Sequence, residues 1–218
     1  MKLRLIIFDF DGTLCDTRQN IIKAFRATMQ TLNLEPRDEA TCGATIGLTL
    51  RDGFAVMYPS FSDTEIDHCV DTYRRIFAEH RAEYMPELFE GVGEVLDVLY
   101  REGYTMAIAS SRLTDSLMLF MRAHNIDRYF SCVVGSDSVE CHKPSSEPAD
   151  KVLSELGFKP TEALVVGDMP VDILMGRNAG TRTVGVSYGN ASREELEASA
   201  ADYVIDDIRA LLPIVEVI

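Results

Sequence analysis

The chain has 218 residues, 46% hydrophobic and 26% charged, with a formal net charge of −14. This length and balance suit one large α/β domain or a core carrying an insert, and they exclude a disordered chain. A surface this acidic repels nucleic acid and anionic lipid, so neither is expected as a partner, and an anionic substrate would need local positive charge to approach.

The N-terminus, Met1-Lys2-Leu3-Arg4, runs straight into a strand-like segment. It carries no signal peptide, and no apolar stretch is long enough to span a bilayer. Cys15, Cys42, Cys69, Cys132 and Cys141 are odd in number and form no C-x-x-C, which fits reduced thiols in a cytoplasmic protein. Cys141-His142 lacks a second pair at zinc-site spacing. Without a secretory signal, Asn190-Ala191-Ser192 is an accidental glycosylation triplet.

In chain order, Leu3–Phe8 is the first short apolar run, and it ends in Asp9-Phe10-Asp11-Gly12-Thr13. Residues 16–84 then show helical patterns without a convincing strand. Ile21, Phe25, Met29 and Leu32 trace one apolar face that stops at Asn33. Thr45–Thr49 is looser. A second helix opens on Ser62…Glu65, a capping box, and places Ile66, Cys69, Val70, Tyr73, Ile76 and Phe77 at 3-and-4 spacing.

Beyond residue 84, apolar runs at Tyr104–Ala109, Cys132–Val134, Ala163–Val166 and Thr183–Val186 alternate with helical patterns. The helices are predicted over Val92–Arg101, Thr114–His124, Pro148–Leu156, Val171–Ala179 and Ser192–Ser199. Thr114 is the expected N-cap of its helix, and Asn125, Gly157 and Gly180 are expected stops. The alternation predicts an α/β fold, a Rossmann-like doubly wound parallel sheet. The core is expected at 1–15 and 85–218, interrupted by an all-α helical insert at 16–84.

Open parallel sheets present ligand sites at the carboxyl ends of their strands. Asp9 and Asp11 stand there, and D-x-D-G-T arises by chance at about one position in 10⁵ at ordinary residue frequencies. Gly167-Asp168 ends a later strand, and Asp172 follows. Taken alone, Asp172 reads as a helix-start acid. Acids converging without a cation would be costly, and Mg²⁺ with oxygen ligands relieves that repulsion. Ser110 and Lys143-Pro144 also fall after predicted strands, although singly each reads as an ordinary strand-end serine or surface lysine.

This set resembles the haloacid dehalogenase superfamily, specifically its phosphatases with a helical cap inserted after the first strand, and within them the phosphoglycolate-phosphatase-like branch. Asp9-Phe10-Asp11-Gly12-Thr13, Ser110, Lys143-Pro144 and Gly167-Asp168-Met169-Pro170-Val171-Asp172 match its four motif regions, and Phe89-Glu90-Gly91-Val92 matches the return from the cap. The resemblance implies Asp9 as nucleophile and metal ligand. It implies Asp11 as general acid/base with its backbone carbonyl on the metal, Ser110 as a phosphoryl contact and Lys143 as the neutralising cation. Asp168 would be a further metal ligand and Asp172 a helper in the outer shell or near Lys143.

Gly12, Thr13, Ser111, Arg112, Thr49 and Arg51 complete the candidate substrate contacts. For Thr49, Arg51 and the 47–50 loop a solvated surface is an equal reading, and for Arg112 so is a surface salt bridge. The implied function is Mg²⁺-dependent hydrolysis of a small phosphorylated metabolite, such as phosphoglycolate or a sugar phosphate, through an aspartyl-phosphate, by a monomer or homodimer. A sugar phosphomutase of the β-phosphoglucomutase type and a non-catalytic phosphate- or metal-binding module are the alternatives. Thr13, where such mutases often carry a β-branched apolar residue, leans towards hydrolysis.

Overall fold

A computed structural model describes residues 2–218. Met1, with which the expected core segment 1–15 begins, lies outside the described residues. Strands β1 (Leu5–Phe8) and β2 (Cys15–Asp16) open the chain, and four helices follow: α1 (Arg18–Thr31), α2 (Glu39–Gly43), α3 (Leu50–Met57) and α4 (Asp63–Glu79). The chain continues through β3 (Glu87–Leu88), α5 (Val92–Arg101), β4 (Thr105–Ala109), α6 (Thr114–Ala123), β5 (Phe130–Val134) and α7 (Glu147–Leu156). It ends with β6 (Ala163–Gly167), α8 (Pro170–Ala179), β7 (Arg182–Val186), α9 (Arg193–Ala198), β8 (Tyr203–Ile205) and α10 (Leu211–Val217).

The main sheet has the order β5-β4-β1-β6-β7-β8, with every pairing parallel. Its strands read as continuous apolar runs because both faces are covered. Alternate residues sort to opposite sides. Ile6, Phe8, Met106, Ile108, Leu164 and Val166 pack with side chains of α5, α6 and α10. Leu5, Ile7, Ala107, Ala109 and Val165 pack with side chains of α7 and α8. The sequence order runs outward from β1 through β4 to β5, then returns to β6 on β1's other flank. That reversal is a topological switch point, and parallel sheets form their crevices there.

Helices α1–α4 hold a separate apolar cluster that includes Ile22, Phe25, Phe54, Ile66 and Tyr73. Phe25 lies edge-on to Phe54 with ring centres 5.2 Å apart. The two connections to this region pair as a short antiparallel ladder, Cys15 with Leu88 and Asp16 with Glu87. The capping boxes at Ser62…Glu65 and Ser192…Glu195 are both formed. Asn33 and Asn125 take positive φ just past α1 and α6, where their short polar side chains tolerate the left-handed turn.

Thr114, helix α3 and the last two elements depart from expectation. Thr114 is the first residue of α6 and not its cap; its amide and hydroxyl both donate to Asp137 Oδ1 at 2.8 Å, so a carboxylate from elsewhere satisfies the helix end. The expected loop 45–49 leads into α3, which Thr49 caps by accepting from the Asp52 amide. The last two elements, β8 and α10, had no predicted counterpart. The five cysteines form no disulfide, and no helix among the described residues is long and apolar enough to cross a membrane.

Candidate active site

Strand β1 delivers Asp9 to the carboxyl edge of the sheet, where its amide donates to Val166 O of β6 at 2.9 Å. Asp168 follows the end of β6, and Asp172 lies in the first turn of α8. Ligand oxygens of Asp9, Asp168 and Asp172 all lie within 4.8 Å of one another, and among the described residues they form the one such grouping of potential metal ligands. Lys143 enters from the loop after β5, and its Nζ donates to Asp9 Oδ1 at 2.5 Å and to Asp172 Oδ1 at 2.6 Å. All four side chains are buried: Asp9 is 4% exposed, Lys143 6%, Asp168 0% and Asp172 1%.

One ammonium among three carboxylates leaves excess negative charge out of contact with water. Burial pushes the Asp9 carboxyl up to about 7, with Lys143 opposing and Asp172 and Asp11 adding to the rise. Burial, then Asp172 and Asp9, holds Asp168 well above the usual carboxylate range. Desolvation works against the Lys143 ammonium, yet Asp172 and Asp9 raise its pKa overall. A hard divalent cation with oxygen ligands is the ion this donor set suits, because it would neutralise what Lys143 leaves uncompensated.

Neighbouring residues fix Asp168. Thr13 Oγ1 donates to its Oδ1 at 3.1 Å, while the Asn190 amide and Nδ2 both donate to its Oδ2 at 2.8 Å. Thr13 is fully buried, and its hydroxyl donates to Asp168. Gly12 has φ +87°, and a Cβ there would collide with the Asp168 carboxylate and Asn190. Its role is to let the chain pass close to Asp168.

Sequence reasoning missed Asn190 and Tyr188, whose hydroxyl donates to Thr13 O at 2.8 Å. Tyr188-Gly189-Asn190 follows β7 at the same sheet edge, and a polar turn in that position was the signal available.

The remaining candidates line a cavity of about 830 Å³ between the sheet edge and the helical region. Asp9, Asp11, Ser110, Ser111, Arg112, Thr49 and Arg51 all contribute to its wall. Ser110 is 5% exposed, and its Oγ accepts from the Arg112 amide at 3.3 Å. Ser111 Oγ donates to Gly47 O at 2.6 Å, joining the loop after β4 to the loop before α3.

The Asp11 carboxylate stands outside the three-acid grouping. Arg112 holds it through Nε at 3.0 and 3.2 Å and through one terminal nitrogen at 2.7 Å. The expected surface salt bridge of Arg112 is thus a partly buried one, facing the cavity. Asp172, expected as a helper in the outer shell or near Lys143, accepts from Lys143 and also stands within the grouping. Arg51 lines the cavity wall but pairs with Asp63 and Asp67, which ties its guanidinium to the exposed side of α4.

Asp9 follows β1 at a switch point, and two further acids and a lysine gather beside it, where doubly wound sheets bind their ligands. The chain belongs to the haloacid dehalogenase-like hydrolases, whose family model matches residues 6–186, and it is an enzyme of the phosphatase kind. It is 35% identical over 214 residues to pyrophosphatase PpaX of Bacillus cereus, covering 98% of this chain and 97% of that one.

Two solved structures share the fold. A haloacid dehalogenase-like hydrolase from Bacteroides fragilis matches with a TM-score of 0.90 and 26% identity, over 96% of this chain and 100% of that one. A protein described as a predicted phosphoglycolate phosphatase from Haemophilus somnus matches with a TM-score of 0.87 and 25% identity, over 98% of each chain.

Proposed function

We propose that this enzyme hydrolyses a small phosphorylated metabolite through an aspartyl-phosphate on Asp9, with Mg²⁺ as cofactor. The observation that carries the proposal is the Asp9 carboxylate, which lines the cavity, pairs with Lys143 at 2.5 Å and lies beside Asp168 and Asp172. Phosphate esters hydrolyse very slowly unaided, and an anionic nucleophile meets an anionic phosphoryl group, so charge neutralisation is the first requirement.

Asp9, Asp168 and the backbone carbonyl of Asp11, with Asp172 beside them, would hold the metal. When bound, Mg²⁺ supplies a positive charge that offsets repulsion between nucleophile and phosphoryl oxygens. Lys143 supports the same neutralisation and orients the Asp9 oxygen it touches. Ser110 contacts the phosphoryl oxygens. An Asp9 oxygen attacks phosphorus, the bond to the leaving oxygen breaks, and Asp11 gives that oxygen a proton. Water then attacks the phosphorus, the bond to Asp9 breaks, and Asp11 takes the proton back.

Residues 16–84 act as the cap over this site, with 1–15 and 85–218 as the core, and the β2–β3 ladder carries both connections. The apolar cluster belonging to α1–α4 supports that division. Closure of such a cap excludes water from the reacting groups. The names of the relatives put pyrophosphate and phosphoglycolate first among substrates to try, and the reduced cysteines fit work in the cytoplasm.

A phosphate-release panel tests the proposal: pyrophosphate, phosphoglycolate, sugar phosphates and nucleoside monophosphates, each with Mg²⁺ and with chelator. Release that needs Mg²⁺, together with a phosphoryl group trapped on Asp9, is expected. Isomerised sugar phosphate without free phosphate would favour a mutase instead.

A further inference from the structure

Asp11 and Arg112 are 101 positions apart, yet they form the most heavily bonded ion pair in the cavity wall. Asp11 Oδ1 accepts from Nε and a terminal nitrogen, and Oδ2 accepts from Nε at 3.0 Å. Both oxygens carry bonds from the guanidinium, so moving Asp11 towards a leaving group breaks those bonds. The guanidinium has supports of its own. Its other terminal nitrogen donates to Ser116 Oγ at 3.1 Å. Its carbon lies 4.9 Å from the Phe120 ring centre and 5.5 Å from that of Phe77 on α4. With Ser116 and two aromatic rings holding it, the guanidinium keeps its place when Asp11 moves away.

We propose that Arg112 holds Asp11 until a second oxyanion on the substrate takes Asp11's place, so that the enzyme selects phosphorylated compounds whose leaving group carries its own carboxylate or phosphate. This rests on the reaction proposed above, in which Asp11 serves the leaving oxygen. The physical ground is exchange. A guanidinium fork matches a carboxylate or a phosphate equally well, so trading one oxyanion for another keeps the cation paired. A leaving group without charge offers no such trade, and moving Asp11 would then leave a partly buried guanidinium without its counter-charge. Among the other cations near the site, Lys143 is bonded to Asp9 and Asp172 and Arg51 to Asp63 and Asp67, while Arg74 and Arg81 line the cavity without contacting Asp11, so only Arg112 couples an incoming oxyanion to Asp11's release.

A matched pair of substrates tests this. Phosphoglycolate and 2-hydroxyethyl phosphate both release an alkoxide, and they differ only in whether a carboxylate or a hydroxymethyl group ends the chain. The unaltered enzyme with Mg²⁺ should prefer phosphoglycolate by about tenfold or more in kcat/KM, the scale of one charged hydrogen-bonded contact. Arg112→Gln should reduce that preference to within about threefold, chiefly through KM for phosphoglycolate, and Arg112→Lys should keep an intermediate part because it retains charge without the fork.

Melting curves accompany each variant, and if Arg112→Gln does not fold, Arg112→Lys decides. An equal loss on both compounds, or an unchanged preference, would mean that Arg112 only braces Asp11 and would overturn the inference. Equal kcat/KM on the two compounds by the unaltered enzyme would overturn it alone and leave the reaction standing. Phosphate release from neither compound, nor from pyrophosphate, would sink the reaction and this inference with it.

Discussion

At the sheet edge, Asp9, Lys143, Asp168 and Asp172 are buried and bonded to one another or to neighbouring loops; strand ends place Asp9 and Asp168, a helix start places Asp172, and the loop after β5 brings in Lys143. Across the cavity, the helical region offers Thr49, which caps its own helix, and Arg51, which faces outward to two aspartates. One side gathers like charges that folding alone would keep apart. The other is held by ordinary apolar packing around Phe54. The contrast separates residues kept for chemistry, at a cost in stability, from residues whose stabilising role is plain.

The sharpest way to break this contrast is Asp9→Asn. Turnover should fall by at least about 10⁴-fold, the scale seen when a covalent nucleophile is removed. The melting temperature should stay level or rise, because one buried carboxylate of three is gone and Lys143 keeps Asp172. Substantial phosphate release from a pure preparation, or a marked loss of stability, would put Asp9 among the structural residues.

Lys143→Ala is the next largest. It leaves three buried carboxylates without their ammonium, and breaking such a pair from one side costs about 3–5 kcal/mol. Urea unfolding should show that loss, and Mg²⁺ should restore part of it by binding the folded state. If Mg²⁺ stabilises neither this variant nor the unaltered enzyme, the three acids do not form a metal site.

On the helical side, Phe54→Ala removes a fully buried ring that packs against Phe25 and Tyr73. A loss of about 3–5 kcal/mol is expected for such a truncation. The unfolding transition should broaden or split if α1–α4 loosen before the sheet does. A single sharp transition would mean that the two regions unfold as one.

Much of this arrangement was legible because it rests on local signals. Buried strands announce themselves as short apolar runs, and strand order put Asp9, Asp168 and Lys143 at one edge. The gaps have physical causes as well. Helices α2 and α3 have five and eight residues, too few for an apolar period to stand out, although Thr49-x-x-Asp52 was a readable cap. Strand β8 is three residues long and sits at the sheet's rim. Asn190 was read only as part of a glycosylation triplet, and its bonds to Asp168 depend on how the turn after β7 folds back. The Asp11–Arg112 pair joins two loops that no spacing rule connects.

The smallest expected effect draws the line between the two regions most finely. Arg51 lines the cavity, so Arg51→Gln could cost activity if its guanidinium swung in to meet substrate. Its present partners argue otherwise. Asp63 and Asp67 lie on the exposed side of α4, and Arg51 itself is 42% exposed at its side chain. Exposed pairs contribute about 0–1 kcal/mol, so stability should shift by less than about fivefold in the folding equilibrium, and kcat/KM should stay within the same range. A tenfold fall in kcat/KM with unchanged melting would move Arg51 to the chemical side of the cavity. It would show that those two aspartates merely park a substrate-binding arginine.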